Sequence, residues 1–163
     1  IYAEVVGYGA TCDAYHITAP APDGQAAAES MRLAYKEAGF EASDITYINA
    51  HGTSTGLNDS GETAAVKLAF GEEQAKKVLI NSTKSMTGHL LGATGAVESI
   101  ATILAIKNSI VPPTINHFTD DEELPKLNYT FNKPQEREIN AALSNTFGFG
   151  GHNACLAFKK FKE

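Results

Sequence analysis

Hydrophobic and polar positions along the chain alternate between two periods, and the alternation lays out an α/β order. Residues 1–10 alternate and are rich in Val and Tyr, which predicts a strand. Asp23-Gly24 opens a helix through about Ala38. Its apolar stripe is Ala27, Met31, Ala34, Tyr35 and Ala38, and Gly39 supplies the stop. Ile45 to Asn49 predicts a short apolar strand that ends at His51. Asp59 with Glu62 reads as a capping pair for a second helix, which runs to Phe70 and stops at Gly71.

Val78-Leu79-Ile80 predicts a short buried strand. From Gly92 to about Lys107 comes a helix that is apolar or small nearly all round, a pattern expected of a helix buried on most faces. Val111-Pro112-Pro113-Thr114 ends that element, and the charged segment from about His117 to Glu138 predicts a surface excursion. Ile139 to Leu143 and Ala154 to Phe158 predict two closing strands. The order β-α-β-α-β-α-β-β implies a mixed β-sheet with helices packed on it.

Composition narrows the field. A chain of 163 residues with 43% hydrophobic content can form one domain with its own core. A net charge of −6 and a pI of about 5.3 argue against nucleic acid as a partner. No apolar run is long enough for a transmembrane helix, and no signal peptide pattern opens the chain. The chain begins without Met in what reads as the middle of a strand, so a cut from a longer protein is expected. Two cysteines, Cys12 and Cys155, are too few for a disulfide framework or a zinc site, which fits a reducing cytoplasm.

Three segments combine glycine, hydroxyl groups and histidine: Asn49-Ala50-His51-Gly52-Thr53-Ser54-Thr55, Ser82-Thr83-Lys84-Ser85-Met86-Thr87-Gly88-His89, and Asn145 to Asn153 around Phe147-Gly148-Phe149-Gly150-Gly151. Glycine lets backbone approach a ligand closely, and imidazole exchanges protons near neutral pH. His51 follows a strand, where α/β sheets gather ligands. Taken alone, it is better explained by a loop-capping role. Lys84 stands five residues before His89, and a lysine charge beside an imidazole favours its neutral form. A neutral imidazole can donate to an oxygen that becomes negative. Glu98, inside the most apolar helix, needs a partner; Lys84 or a cation would serve. Phe147 to Gly151, taken alone, reads as a tight turn between strands with its rings in the core.

No residue has the setting of an activated nucleophile. Cys155 lies in a strand and Cys12 stands beside Asp13, so neither has the positive surroundings that make a thiolate. There is no dinucleotide fingerprint, no P-loop and no His-Glu-x-x-His helix.

Taken together, these motifs resemble the C-terminal half of the β-ketoacyl-acyl carrier protein synthases, the elongating condensing enzymes of the thiolase superfamily. The run Ser82 to Gly92 is the most specific, and the similarity is greatest to the type II synthases of bacterial dissociated systems. The resemblance implies a thiolase-like fold, of which this chain would be the second half, in a homodimer of the full-length protein. It implies a decarboxylative Claisen condensation in fatty-acid elongation, with acyl and malonyl groups delivered on the phosphopantetheine of acyl carrier protein and no required cofactor.

By position, His51 and His89 match the two histidines that hold the malonyl thioester oxygen. Lys84 matches the lysine that orders the site, and Glu98 its buried carboxylate partner. Phe149 matches a gating phenylalanine whose amide completes the oxyanion hole. Thr53, Thr55, Phe147 and Gly148 fall at substrate-binding positions. Asn49, Ala50, Glu98, Ser144 and Asn145 fall where some members hold a structural monovalent or divalent cation. The family's proline after Thr-Ser-Thr is replaced by Gly56-Leu57. The nucleophilic cysteine belongs to the family's first half, and neither Cys12 nor Cys155 occupies its motif. Two other readings stay open: a catalytically inactive isolated domain, and a ketosynthase domain of a polyketide synthase.

Overall fold

The computed structural model describes residues 1–162. The chain folds as β1 (Ala3–Cys12), α1 (Gln25–Glu37), β2 (Tyr47–Asn49), α2 (Gly56–Phe70), the short α3 (Glu72–Ala75), β3 (Leu79–Asn81) and the short α4 (Lys84–Thr87). There follow α5 (Thr94–Asn108), β4 (Ile110–Val111), β5 (Asn128–Tyr129), β6 (Gln135–Glu136), β7 (Ala141–Gly148) and β8 (His152–Lys160).

Six strands form one mixed sheet in the order β1-β8-β7-β2-β3-β5. β1, β8 and β7 are antiparallel to their neighbours, while β7, β2, β3 and β5 run parallel. β4 and β6 pair separately as a small antiparallel ribbon.

Period-two alternation divides the sheet into two packed faces. Ile48, Leu143 and Ala157 join the apolar side of α1 and α2, including Met31, Ala34 and Val66. Their neighbours Tyr47, Ala142 and Phe158 join Ala105 and Ile106 of α5. α1 lies very close to the edge strand β1. A methyl group on Gly7 or Gly9 would run into the carbonyl oxygens of Ala34 and Ser30, so this contact requires glycine.

The β-α-β-α-β-α-β-β order stands as the frame, with three corrections. The segment after Val111 is not all excursion, because β5 within it extends the sheet beyond β3. α2 starts at Gly56 with Thr55 at its N-cap, so Asp59 and Glu62 lie inside the helix and cap nothing. α5 is not buried on most faces. Its buried face carries Thr94, Glu98, Thr102, Ala105 and Ile106, while Ile100 and Leu104 are exposed.

Candidate active site

The site lies at the C-terminal ends of the parallel strands. The register aligns Asn81, Asn49 and Ser144 across β3, β2 and β7, and all three are buried. A polar row closing an apolar sheet needs internal partners. Asn49 donates through Nδ2 to the Glu98 carbonyl at 3.4 Å, and Tyr47 donates its hydroxyl to Asn81 Oδ1 at 2.7 Å.

His51 follows β2 by two residues and is 5% exposed. Its backbone N–H donates to Glu62 Oε1 at 2.9 Å, and the N–H of Gly52 donates to Glu62 Oε2 at 2.8 Å. Glu62 also accepts from Asn145 Nδ2 at 3.2 Å. One buried carboxylate thus fixes the backbone that carries the imidazole. Gly52 has φ of +45°, and a Cβ there would lie 2.5 Å from that of Ser82, so only glycine fits. Glu62 was absent from the candidate residues; its acidic spacing to Asp59 imitates a capping box, and no local pattern marks a carboxylate that reaches a distant loop.

The His51 and His89 rings stand edge to face, with centroids 5.4 Å apart. The Phe147 ring lies 5.8 Å from that of His51. The His89 Nδ1 accepts the backbone N–H of Leu91 at 3.1 Å. That bond leaves the ring proton on Nε2, the nitrogen free to donate elsewhere. Leu91 holds φ of +51°, a left-handed conformation uncommon for leucine, and the turn it makes brings its N–H to the ring.

Lys84 Nζ lies 2.6 Å from Glu98 Oε1, with side chains 5% and 1% exposed. The lysine-carboxylate pairing expected for Glu98 is therefore present. Burial pushes the Glu98 carboxyl up, and Lys84 pulls it back. Removing one partner of such a pair typically costs about 3–5 kcal/mol, since the other charge stays buried alone. The Lys84 charge also bears on His51: burial first, then Lys84, then His89 hold its imidazole down to about 3.

The remaining candidates divide. Thr53 and Thr55 share a hydrogen bond between hydroxyls at 3.0 Å on the loop after His51. Phe147 and Gly148 end β7 beside the histidines, but Phe149 points outward at 77% exposure. The turn reading that put both rings in the core is corrected, because the positive φ of Gly150 and Gly151 turns the hairpin tip away from the sheet. Ala50 donates its N–H to the Asn81 carbonyl at 2.8 Å. Two buried acceptors, Glu98 Oε2 and Asn145 Oδ1, have no partner among the described residues. Cys155 is fully buried and burial pushes its thiol up, while Cys12 is exposed; neither lies against the histidines in any described contact.

The Beta-ketoacyl synthase, C-terminal domain, family model matches residues 2–118. The chain is 55% identical over 162 residues to 3-oxoacyl-[acyl-carrier-protein] synthase 2 of Staphylococcus aureus, covering 99% of this chain and 39% of that protein. It is 52% identical over 162 residues to the protein of the same name from Synechocystis sp., covering 99% and 38%.

Among solved structures, it is similar to a type II polyketide ketosynthase in complex with its acyl-carrier protein and bound to the hexaketide. The TM-score is 0.95 at 41% identity, over 99% of this chain and 39% of that one. It is also similar to a β-ketoacyl synthase from Burkholderia phymatum, with TM-score 0.91, 37% identity, and coverage of 99% and 38%. The fold is thiolase-like, and the chain spans about two fifths of the length of the curated relatives it matches.

The buried imidazole sets a pH dependence. The folded chain keeps His51 neutral down to about pH 3, whereas an unfolded imidazole takes its proton near 6.5. Between those values the unfolded state binds more protons, so this group contributes stability that is lost as pH falls. His51→Gln is expected to flatten the decline in urea midpoint from pH 6.5 toward pH 3 relative to wild type. An unchanged slope would show that the imidazole is not held neutral.

Proposed function

The chain belongs to the β-ketoacyl synthase family, in its C-terminal domain, and on that premise we propose that it serves fatty-acid elongation as one half of a condensing acyltransferase. The observation that carries the reading is the edge-to-face pair His51 and His89, one imidazole buried and held neutral, the other fixed with its proton on Nε2. In this reading a malonyl thioester, carried on the phosphopantetheine of acyl carrier protein, loses carbon dioxide. The electron pair of the broken C–C bond passes into the thioester as an enolate, and the two imidazoles donate to its oxygen.

The enolate carbon then attacks an acyl thioester on a cysteine outside this chain, and the cysteine leaves as thiolate. Each such donor typically contributes about 3–4 kcal/mol to the transition state. Thr53 and Thr55 contact the phosphopantetheine arm, with Phe147 and Gly148 beside the substrate. Phe149 swings as a gate from its exposed position on the hairpin tip, its backbone N–H completing the oxyanion hole. The exposed turn supports that role by leaving the ring free to move.

The unpartnered Glu98 Oε2 and Asn145 Oδ1 fit a monovalent cation held with Asn49, Ala50 and Ser144. Its charge would offset Glu62 and Glu98, two buried carboxylates of which the first raises the second. No other cofactor enters this reading. The full-length protein acts as a homodimer in the bacterial cytoplasm, and no helix among the described residues is long and apolar enough to cross a membrane.

The exposed side of α5, with Ile100 and Leu104, borders an open groove of about 320 Å³ lined by Tyr8, Gly95, Ala96, Thr146, Ala154 and Leu156. This face docks the remaining three fifths of the protein, which supplies the nucleophile, and the chain alone turns nothing over. The likeness to a hexaketide-bound ketosynthase supports polyketide extension as a second reading. Substrate profiling with acyl and polyketide thioesters separates the two.

In the full-length protein, His89→Ala is expected to abolish malonyl decarboxylation while acyl transfer to the cysteine persists; decarboxylation at the parental rate would remove the enolate role. Purified alone, the chain is expected to self-associate in light scattering through its apolar face. A clean monomer at high concentration would argue against that docking face. Potassium is expected to raise the Tm of wild type above that in choline chloride at equal ionic strength, and Asn145→Ala to remove the difference. Equal Tm values in the two salts would rule out the cation.

A further inference from the structure

We propose that Thr94 is a positioning residue for His89, its hydroxyl donating to Nδ1 and holding the imidazole in the Nε2–H form. The inference deepens the enolate reading and rests on it for its catalytic consequence. Thr94 is the first residue of α5 and is 1% exposed. Its Oγ1 lies 3.0 Å from His89 Nδ1 and makes no other hydrogen bond among the described residues.

The direction of that bond follows from a second contact. The backbone N–H of Leu91 already points at the same Nδ1, and a backbone amide can only donate. Nδ1 therefore carries a lone pair and no proton, and the threonine hydroxyl is the donor. A buried hydroxyl with a single partner directs its proton there.

The two donors do different work. Leu91 sits on an exposed turn, with its side chain 78% exposed and its backbone left-handed. Thr94 is anchored in the first turn of a helix whose next buried positions are Glu98 and Thr102, and Glu98 holds Lys84. The hydroxyl thus ties the ring to the same helix that carries the buried ion pair. A ring rotation that turned Nδ1 away from Thr94 would leave a buried hydroxyl without an acceptor, so the bond fixes orientation as well as tautomer. No local sequence pattern reveals this role, because a threonine at the start of a helix reads as an ordinary capping residue.

The test uses the full-length protein with ¹⁵N-labelled histidine. Thr94→Val removes the donor and keeps the shape. The His89 Nδ1 resonance is expected to move toward that of a free lone pair, and malonyl decarboxylation to fall about tenfold, the scale of one hydrogen bond. Thr94→Ser is expected to restore both. Should the valine variant fail to fold, Thr94→Ala removes the same donor.

An Nδ1 resonance identical in wild type and Thr94→Val would overturn the inference whatever the rate does. A resonance that moves while the rate holds, in an enzyme silenced by His89→Ala, would overturn it as well, since the bond would position nothing. If His89→Ala keeps the parental rate, the enolate reading fails, and the tautomer assignment for Thr94 still stands or falls on the resonance.

Discussion

Lys84 carries the sole buried cationic side chain among the described residues, and a buried carboxylate holds it. Glu98 takes it directly at 2.6 Å. Glu62, on another helix, is close enough to raise the Glu98 carboxyl and is itself pushed up by burial. Charges removed from water persist only with partners. Glu62 finds four N–H donors instead of a cation: the backbone of His51 and Gly52, and the side chains of Asn58 and Asn145. The consequence for the imidazole is direct. With the lysine charge already nearby, a proton on His51 would add a second buried cation, so the ring stays neutral. A buried imidazole without a charge of its own is produced by its burial and by the electrostatics of its supports.

The two histidines are held in different ways. His51 is buried and neutral because of what surrounds it. His89 is on an exposed loop, with its Nδ1 against the backbone N–H of Leu91 and the hydroxyl of Thr94. One imidazole is governed by desolvation and the other by donor geometry. The loops that deliver them are correspondingly different. Gly52 is pressed against Ser82 in a left-handed turn that no side chain could occupy, whereas Leu91 takes the same kind of backbone with its side chain in the open. Left-handed backbone thus stands beside each histidine, at Gly52 and at Leu91, and it occurs also at Ala14, Ser54, Ser109, Asn116 and Asn132.

Much of the frame was legible because it follows periodicity. The stripe Ala27, Met31, Ala34 and Tyr35 on α1 is buried as spaced, and the strands around Ile48 and Ile80 lie where short apolar runs put them. The histidine motifs and the Lys84–Glu98 pairing were legible because their chemistry is local or because a buried carboxylate demands a cation. What was hidden depends on contacts across the sequence. Glu62 acts on residues ten and eleven positions before it, through a loop whose path no local pattern specifies. β5 has two residues and owes its pairing to β3. Phe149 and Phe147 share one glycine-rich run, yet one ring is outside and the other near His51, a distinction set by the hairpin turn.

α5 departs furthest from what its composition implies, because its surroundings and not its residues decide which side is packed. A helix apolar nearly all round implies burial on all sides, and α5 has that composition with only one side packed. The packed side is polar over its first two turns, where Thr94, Glu98 and Thr102 face the sheet and the site, and apolar at Ala105 and Ile106, while Ile100 and Leu104 face out. Ordinary amphipathic helices do the reverse. Such an inverted helix is stable only if its polar residues find partners, as Thr94, Thr102 and the Oε1 of Glu98 do within the chain, and if its apolar side is covered by something else. The groups that orient His89 and Lys84 thus share a helix with the face that a covering element would press upon. Any displacement of α5 by that element moves Thr94 and Glu98 together, so the geometry of the imidazole pair is coupled to whatever completes the core.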